Sequence, residues 1–137
     1  MAASHANGVA DAKAAKAKMA EVGGGNKPVY FTVDFDLSPA EWDKKGPLVL
    51  AYFNGVNSIM GVKRTGAYGT YVSIKELFDH GKIAYGWQMT FGKKGKQIDP
   101  RAQLRQHDIY PSQEGWGVSG AGALDLDRAV HADFGQW

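Results

Sequence analysis

The chain has 137 residues, enough for one domain with a real core but short of the roughly 250 that a complete α/β barrel takes. Hydrophobic residues make up 44% and charged residues 22%, which excludes disorder by composition, and a net charge of +2 with scattered lysines leaves no basic footprint for nucleic acid. Cysteine is absent and the four histidines (His5, His80, His107, His131) lack paired spacing, so disulfides, thiol catalysis and a zinc cage are excluded, and no cofactor or metal is expected.

The first 22 residues, MAASHANGVADAKAAKAKMAEV, lack the basic start and continuous apolar stretch of a secretory signal, so no export address is expected in the chain as it stands. No stretch approaches the roughly 20 apolar residues that cross a bilayer, and a soluble chain without a membrane partner is expected. Over residues 6–22, Val9, Ala12, Met19 and Val22 fall near helical spacing with lysines opposite, and Gly23, Gly24 and Gly25 stop the helix. After Asn26, Lys27 and Pro28, the run VYFTVDF reads as a buried strand whose polar end is the aspartates. Ser38, Pro39 and Glu41 then supply an N-cap, a first helical residue and a capping-box partner, so S-P-A-E predicts a helix directly after the strand.

Gly46 and Pro47 are expected to break or restart this helix, and Leu48, Val49, Tyr52, Phe53, Val56 and Ile59 form a broad apolar stripe ending near Gly61. Residues 65–68 predict a short strand, and YVSIKELFDHG a helix with Ile74, Leu77 and Phe78 inward, closed by Gly81. AYGWQM reads as a strand, a polar lysine-rich loop covers 92–100, AQLRQH is another strand, and a glycine-rich segment leads to ALDLDRAV. Strands alternating with helices predict right-handed βαβ crossovers and a parallel sheet, with ligands gathering at the C-terminal ends of the strands.

The ordered series VYFTVDFD, TGAYGTY, AYGWQM, AQLRQH and LDLDRA resembles the second half of the family 25 glycoside hydrolases, the Chalaropsis-type lysozymes. It is more similar still to a related glycoside-hydrolase-like domain of unknown function from actinobacterial secreted proteins and phage lysins, down to the terminal ADFGQW. The resemblance covers nearly the whole chain. It implies a TIM-barrel-like (β/α)8 glycoside hydrolase fold, present as a single partial barrel over 1–137 that begins in the helix before the Asp-bearing strand and lacks the first strands. A second chain or segment would then complete the barrel, because open strand edges and an uncovered interior are costly.

The resemblance also implies the site. Asp34 and Asp36 take the place of the lysozymes' Asp-x-Glu pair, with Asp36 standing where the general acid Glu would be, one methylene shorter in reach. Asp125 best matches the family's last-strand Asp, with Asp127 as the competing choice. From strand position, and if their strands align, Tyr68, Trp87 and Gln88 would project near the cleft as an aromatic platform and an amide for sugar hydroxyls. Gln106 and Arg105 end a strand on which only one of the two can face inward, and Arg105 is expected at the surface. The implied partner is a cell-wall polysaccharide, peptidoglycan or a related polymer. The implied location is the cell wall or extracellular space, with a cytoplasmic stage for a phage-derived chain.

From spacing alone, residues two apart on a strand point the same way and rise about 6.6 Å together, so Asp34 and Asp36 can share a cleft. Side-chain rotamers span both the roughly 5–5.5 Å separation of retaining glycosidases and the roughly 6.5–9.5 Å of inverting ones. Two solvated aspartates capping the following helix is the alternative use of the same residues, and barrel-core packing is the alternative for Tyr68 and Trp87. At the level of the whole chain, the alternatives to a hydrolase are a non-catalytic carbohydrate-binding or wall-targeting module and an inactive fragment.

Overall fold

The computed structural model describes residues 4–34, 37–89, 97–107 and 126–136. Helix α1 (His5–Glu21) precedes strand β1 (Val29–Thr32), α2 (Pro39–Met60), a 3₁₀ turn (Val62–Arg64), β2 (Thr65–Gly69), α3 (Tyr71–Asp79), β3 (Tyr85–Met89), β4 (Leu104–His107) and β5 (Leu126–Ala129). The strands form one sheet in the order β1-β2-β3-β4-β5. Neighbours from β1 to β4 are parallel, and β5 returns antiparallel to β4, with Leu104 opposite Ala129 and Gln106 opposite Asp127. The expectation of parallel pairing throughout fails at this last strand. A parallel connection needs a crossover, usually a helix, and the glycine-rich stretch between β4 and β5 carries no helical apolar pattern, whereas an antiparallel return needs none.

Local chemistry sets most boundaries. The Ser38 side chain accepts from the Glu41 amide at 3.3 Å while the Glu41 carboxylate accepts from the Ser38 amide at 2.9 Å, so the capping box closes in both directions and α2 starts at Pro39. At the other end of α3, Gly81 takes φ +62°, and the bonds Gly81 N→Phe78 O and Lys82 N→Leu77 O reverse the chain toward β3.

Helix α2 does not break at Gly46 and Pro47; it runs through them to Met60. Pro47 forfeits its amide bond to the Asp43 carbonyl, a defect costing about 3 kcal/mol in a helix interior. Buried Val49, Tyr52, Phe53, Val56 and Met60 follow on the same helix, and each contributes about 1.5–3 kcal/mol by leaving water, which outweighs the defect. Gly46 has a packing reason: a Cβ there would lie 2.7 Å from the Trp42 indole, which folds over it one turn back.

Helices α2 and α3 cover one face of the sheet. Phe31, Val33 and Ala67 from the strands meet Phe53, Val56, Ile74 and Leu77 from the helices in the core. Helix α1 packs on α2, and the two backbones cross in contact: a Cβ on Gly8 would sit 2.0 Å from the Tyr52 carbonyl oxygen, and one on Gly55 2.1 Å from that of His5. The Tyr52 hydroxyl completes the crossing by donating to Asp11 at 2.7 Å. Burial first, and then that bond to a carboxylate, push the Tyr52 hydroxyl well above the ordinary tyrosine range. Among the described residues no helix is long and apolar enough to cross a membrane.

Candidate functional site

Strand alternation and parallel register divide the side chains between two faces. Along β1 and its continuation the pattern is buried Phe31, exposed Thr32, buried Val33, exposed Asp34. The ladder extends one step past the strand through Val33 N→Tyr68 O at 2.8 Å. Phe31 and Val33 belong to the helix-covered core, so Tyr30, Thr32 and Asp34 carry the opposite phase. Register then places Gly66 beside Tyr30, Tyr68 beside Thr32, Trp87 beside Tyr68, and Leu104 beside Trp87. The face away from the helices is therefore built from rings, with polar groups toward the C-terminal ends of the parallel strands.

Specific contacts join this row. Trp87 stands edge-on to Tyr68, with ring centroids 4.9 Å apart, and to Tyr30 at 6.0 Å, the arrangement that suits ring quadrupoles. The Trp87 indole N–H reaches across β4 to donate to Asp127 Oδ1 at 2.8 Å. The Tyr68 hydroxyl reaches across β3 to donate to Gln106 Oε1. Each bond skips one strand, so four strands are cross-tied on this face by side chains as well as by backbone.

At the opposite end, residues 131–136 fold against the tyrosines. Tyr30 donates to the Phe134 carbonyl at 2.8 Å, and Tyr85 to Asp133 at 3.2 Å. Burial first, and then the neighbouring Tyr85 and Asp133, hold the Tyr30 hydroxyl far above the ordinary tyrosine range, so it remains a neutral donor. The terminal segment therefore seals the N-terminal end of the face.

Of the residues expected from sequence, Asp34, Tyr68 and Trp87 fall on one face. Gln88 does not. It follows Trp87 by one position and so points into the helix-covered side, where it is fully buried; its amide donates to the Gln97 carbonyl at 2.8 Å and accepts from the Asp99 amide at 2.9 Å. Asp36 and Asp125 lie outside the described residues. Arg105, expected at the surface, is half-buried in register with Gln88, and its neighbour Gln106 takes the ring-bearing face. Gln106 and Asp127, the latter named from sequence as the competing choice to Asp125, both take this face by two-residue alternation, and the same alternation applied to β1 would have added Tyr30, which the sequence reading did not single out. Among the described residues no three His, Asp or Glu side chains converge as a metal site requires.

Gln88 also anchors a charged clamp. Asp99, 3% exposed, accepts from the Arg101 guanidinium at 2.9 and 2.6 Å, and Arg101 reaches Asp79 on α3 at 2.8 Å while lying over the Phe78 ring. The Arg101 hydrogen bonds hold the Asp99 carboxyl below the usual carboxylate range. The segment entering β4 is thereby fixed to β3 and α3.

A mostly parallel five-stranded sheet is covered by helices on one face and carries rings, an amide and carboxylates on the other, and the sequence profile of the Rv2525c-like, glycoside hydrolase-like domain matches residues 1–130. The chain belongs to this family. A Mycobacterium tuberculosis relative, Rv2525c, whose name provisionally marks it a peptidoglycan hydrolase, is 28% identical over 110 residues, covering 80% of this chain and 42% of the relative. Crystal structures of the Mycobacterium tuberculosis Tat-secreted protein Rv2525c, one with L-tartrate and one with HEPES, superpose with TM-score 0.82 at 26% identity over 99% of this chain and 63% of theirs. The chain thus spans less than two thirds of the relatives it matches.

Proposed function

We propose that the ring-bearing face is the floor of a glycan cleft and that the chain acts on a bacterial cell-wall glycan, peptidoglycan or a related polymer, as a lysozyme-like module. The observation that carries the reading is the convergence of Tyr68, Trp87, Gln106 and Asp34 on one face toward the C-terminal ends of the parallel strands, where barrel enzymes of this layout place their sites. Aromatic rings take the apolar faces of sugars, and amides and carboxylates take their hydroxyls. The name of the mycobacterial relative points to the same polymer, and its Tat secretion supports a cell-wall or extracellular location for this chain.

In the finer form of the reading, the single domain over 1–137 supplies the later strands of a (β/α)8-type barrel, completed by another chain or segment. Asp36 is the acid that protonates the glycosidic oxygen, Asp34 stabilises the positive charge developing on the sugar ring or orients the substrate, and Asp125 supports the site from the last strand. The test is incubation with purified cell wall while following the release of reducing ends. Release that falls at least about 100-fold in Asp36→Asn supports the hydrolase, on the usual scale of general acid catalysis. Absence of release, or release unchanged in Asp36→Asn, refutes it.

A non-catalytic wall-binding module is the second reading. It is favoured by the commitment of both polar ring tips, Trp87 N–H and Tyr68 O–H, to partners within the chain. Such a row is a rigid stacking surface. Sedimentation with cell walls, without turnover, identifies it.

A further inference from the structure

The geometry points to Asp127 as a positioning residue for Trp87, acting through the hydrogen-bond acceptor it presents and not through its charge. The inference rests on the reading of this face as a glycan floor and assigns a role within it.

A tryptophan ring at the centre of a sheet face can rotate about two side-chain bonds, and a sugar stacks on it only when one ring face is presented in a fixed plane. Among the described residues, two ring contacts and one hydrogen bond hold Trp87. Tyr68 and Tyr30 stand edge-on to it at 4.9 and 6.0 Å, with interplanar angles of 68° and 86°. These ring contacts come from β2 and β1, on one side of Trp87. The third comes from the other side, where Asp127 Oδ1 on β5 accepts the indole N–H at 2.8 Å from across β4. An indole nitrogen has a single donor and no acceptor, so this one bond sets the rotation that the tyrosines leave open.

The position of Asp127 follows from the antiparallel return of β5. Gln106 is opposite Asp127, and Trp87 is opposite Leu104 two residues earlier on β4, so the bond is a diagonal across the intervening strand. The same diagonal recurs one strand earlier, from Tyr68 to Gln106. Asp127 and Gln106 thus do equivalent work on successive rings, and one of the two is a neutral amide. For an acceptor role a carboxylate and an amide carbonyl are interchangeable in shape, whereas for a catalytic or charge-stabilising role they are not.

The test uses the full chain, with Asp127→Ala and Asp127→Asn compared in two measurements. The first is hydrogen exchange of the Trp87 indole N–H by NMR, its resonance assigned by its loss in Trp87→Phe. The proposal expects exchange at least about tenfold faster in Asp127→Ala, with protection retained in Asp127→Asn, as for loss of one hydrogen bond worth about 1.4 kcal/mol. Exchange unchanged in Asp127→Ala overturns it. The second is sedimentation binding to purified peptidoglycan: binding is expected to weaken about tenfold in Asp127→Ala and to be largely rescued in Asp127→Asn. Equal loss in both variants shows that the charge matters, and overturns the positioning role. Failure of the wild-type chain to bind peptidoglycan refutes the glycan reading and this role within it, while the exchange result still decides whether Asp127 holds the ring.

Discussion

Gly66 is the point at which the ring-bearing face is most exposed to a single atom. A Cβ built there lies 2.8 Å from Tyr30 Cδ1 and 3.0 Å from its Cε1 and Cγ. The ring must therefore retreat by roughly half an ångström or more to restore ordinary carbon–carbon contact near 3.5 Å. Tyr30 has little freedom to do so, being edge-on to Tyr85 and Trp87 and tethered by its hydroxyl to the Phe134 carbonyl. Overpacking of this kind costs about 1–3 kcal/mol. Loss of the tether would add about 1 kcal/mol, and removing a glycine from a strand returns about 0.5–1 kcal/mol. Gly66→Ala should then destabilise by about 1–3 kcal/mol. For a chain of 137 residues each kcal/mol moves the melting temperature by about 3–4 °C, so thermal unfolding followed by circular dichroism should shift down by roughly 3–12 °C. The decisive measurement is a double-mutant cycle with Tyr30→Ala. With the ring gone, Gly66→Ala should be neutral or slightly stabilising, giving a coupling of about 2 kcal/mol. An equal cost in both backgrounds, or a higher melting temperature for Gly66→Ala alone, would refute the claim that the glycine is there for the ring.

Three further outcomes follow from other contacts. Arg101→Ala strands the buried Asp99 carboxylate and should cost about 1–2 kcal/mol at pH 7 in urea unfolding, the half-exposed guanidinium being screened. Because Arg101 lowers the Asp99 pKa in the folded state, this stability is present above the unfolded value near 4 and is lost as pH falls below it, so variant and wild type should converge toward pH 3; a constant difference from pH 7 to pH 3 contradicts the assignment. Ser38→Ala opens the capping box and should lower stability by about 1 kcal/mol, whereas Ser38→Asp should keep most of it, both read by thermal unfolding. Gly55→Ala forces α1 off α2 by its 2.1 Å clash with the His5 carbonyl and should destabilise by about 1–3 kcal/mol despite the better helix propensity of alanine, a sign that calorimetry checks directly.

The features legible in the sequence are those encoded within a few residues. The S-P-A-E cap, the glycine after α3 and the alternation in AYGWQM each specify their element locally, and each element forms where they place it. The features that were not legible depend on partners distant in the chain. Pro47 signals a helix break, but the buried residues that follow it on α2 override that signal. A strand pattern carries no direction, so the antiparallel return of β5 has no local mark. Trp87 and Gln88 look alike as candidates for a cleft until alternation separates them, and only the backbone at 97 and 99 explains why a glutamine is buried there. The partners of Trp87 and Tyr30 stand 40 and 104 residues away.

The two faces of the sheet use glycine in mirrored ways, and this bears on function. On the helix side, Gly86 makes room for Phe78 and Ile74, so aliphatic and aromatic carbon fills the space and water is excluded. On the other side, Gly66 makes room for Tyr30, and the rings there, Tyr30, Tyr68, Tyr85 and Trp87, each carry a polar hydrogen that finds an acceptor. A face assembled from hydrogen-bonded rings tolerates water where an aliphatic face would not, because each polar tip already has its acceptor and the exposed carbon is the π surface. A sugar presents matching chemistry, with apolar C–H faces and hydroxyls at the rim. Within the proposed reading, stacking by Trp87 and Tyr68 therefore supplies affinity regardless of catalysis, while bond cleavage depends on the aspartates at the C-terminal end of β1. Trp87→Ala should then abolish wall binding and any release together, whereas Asp36→Asn should abolish release and leave binding intact.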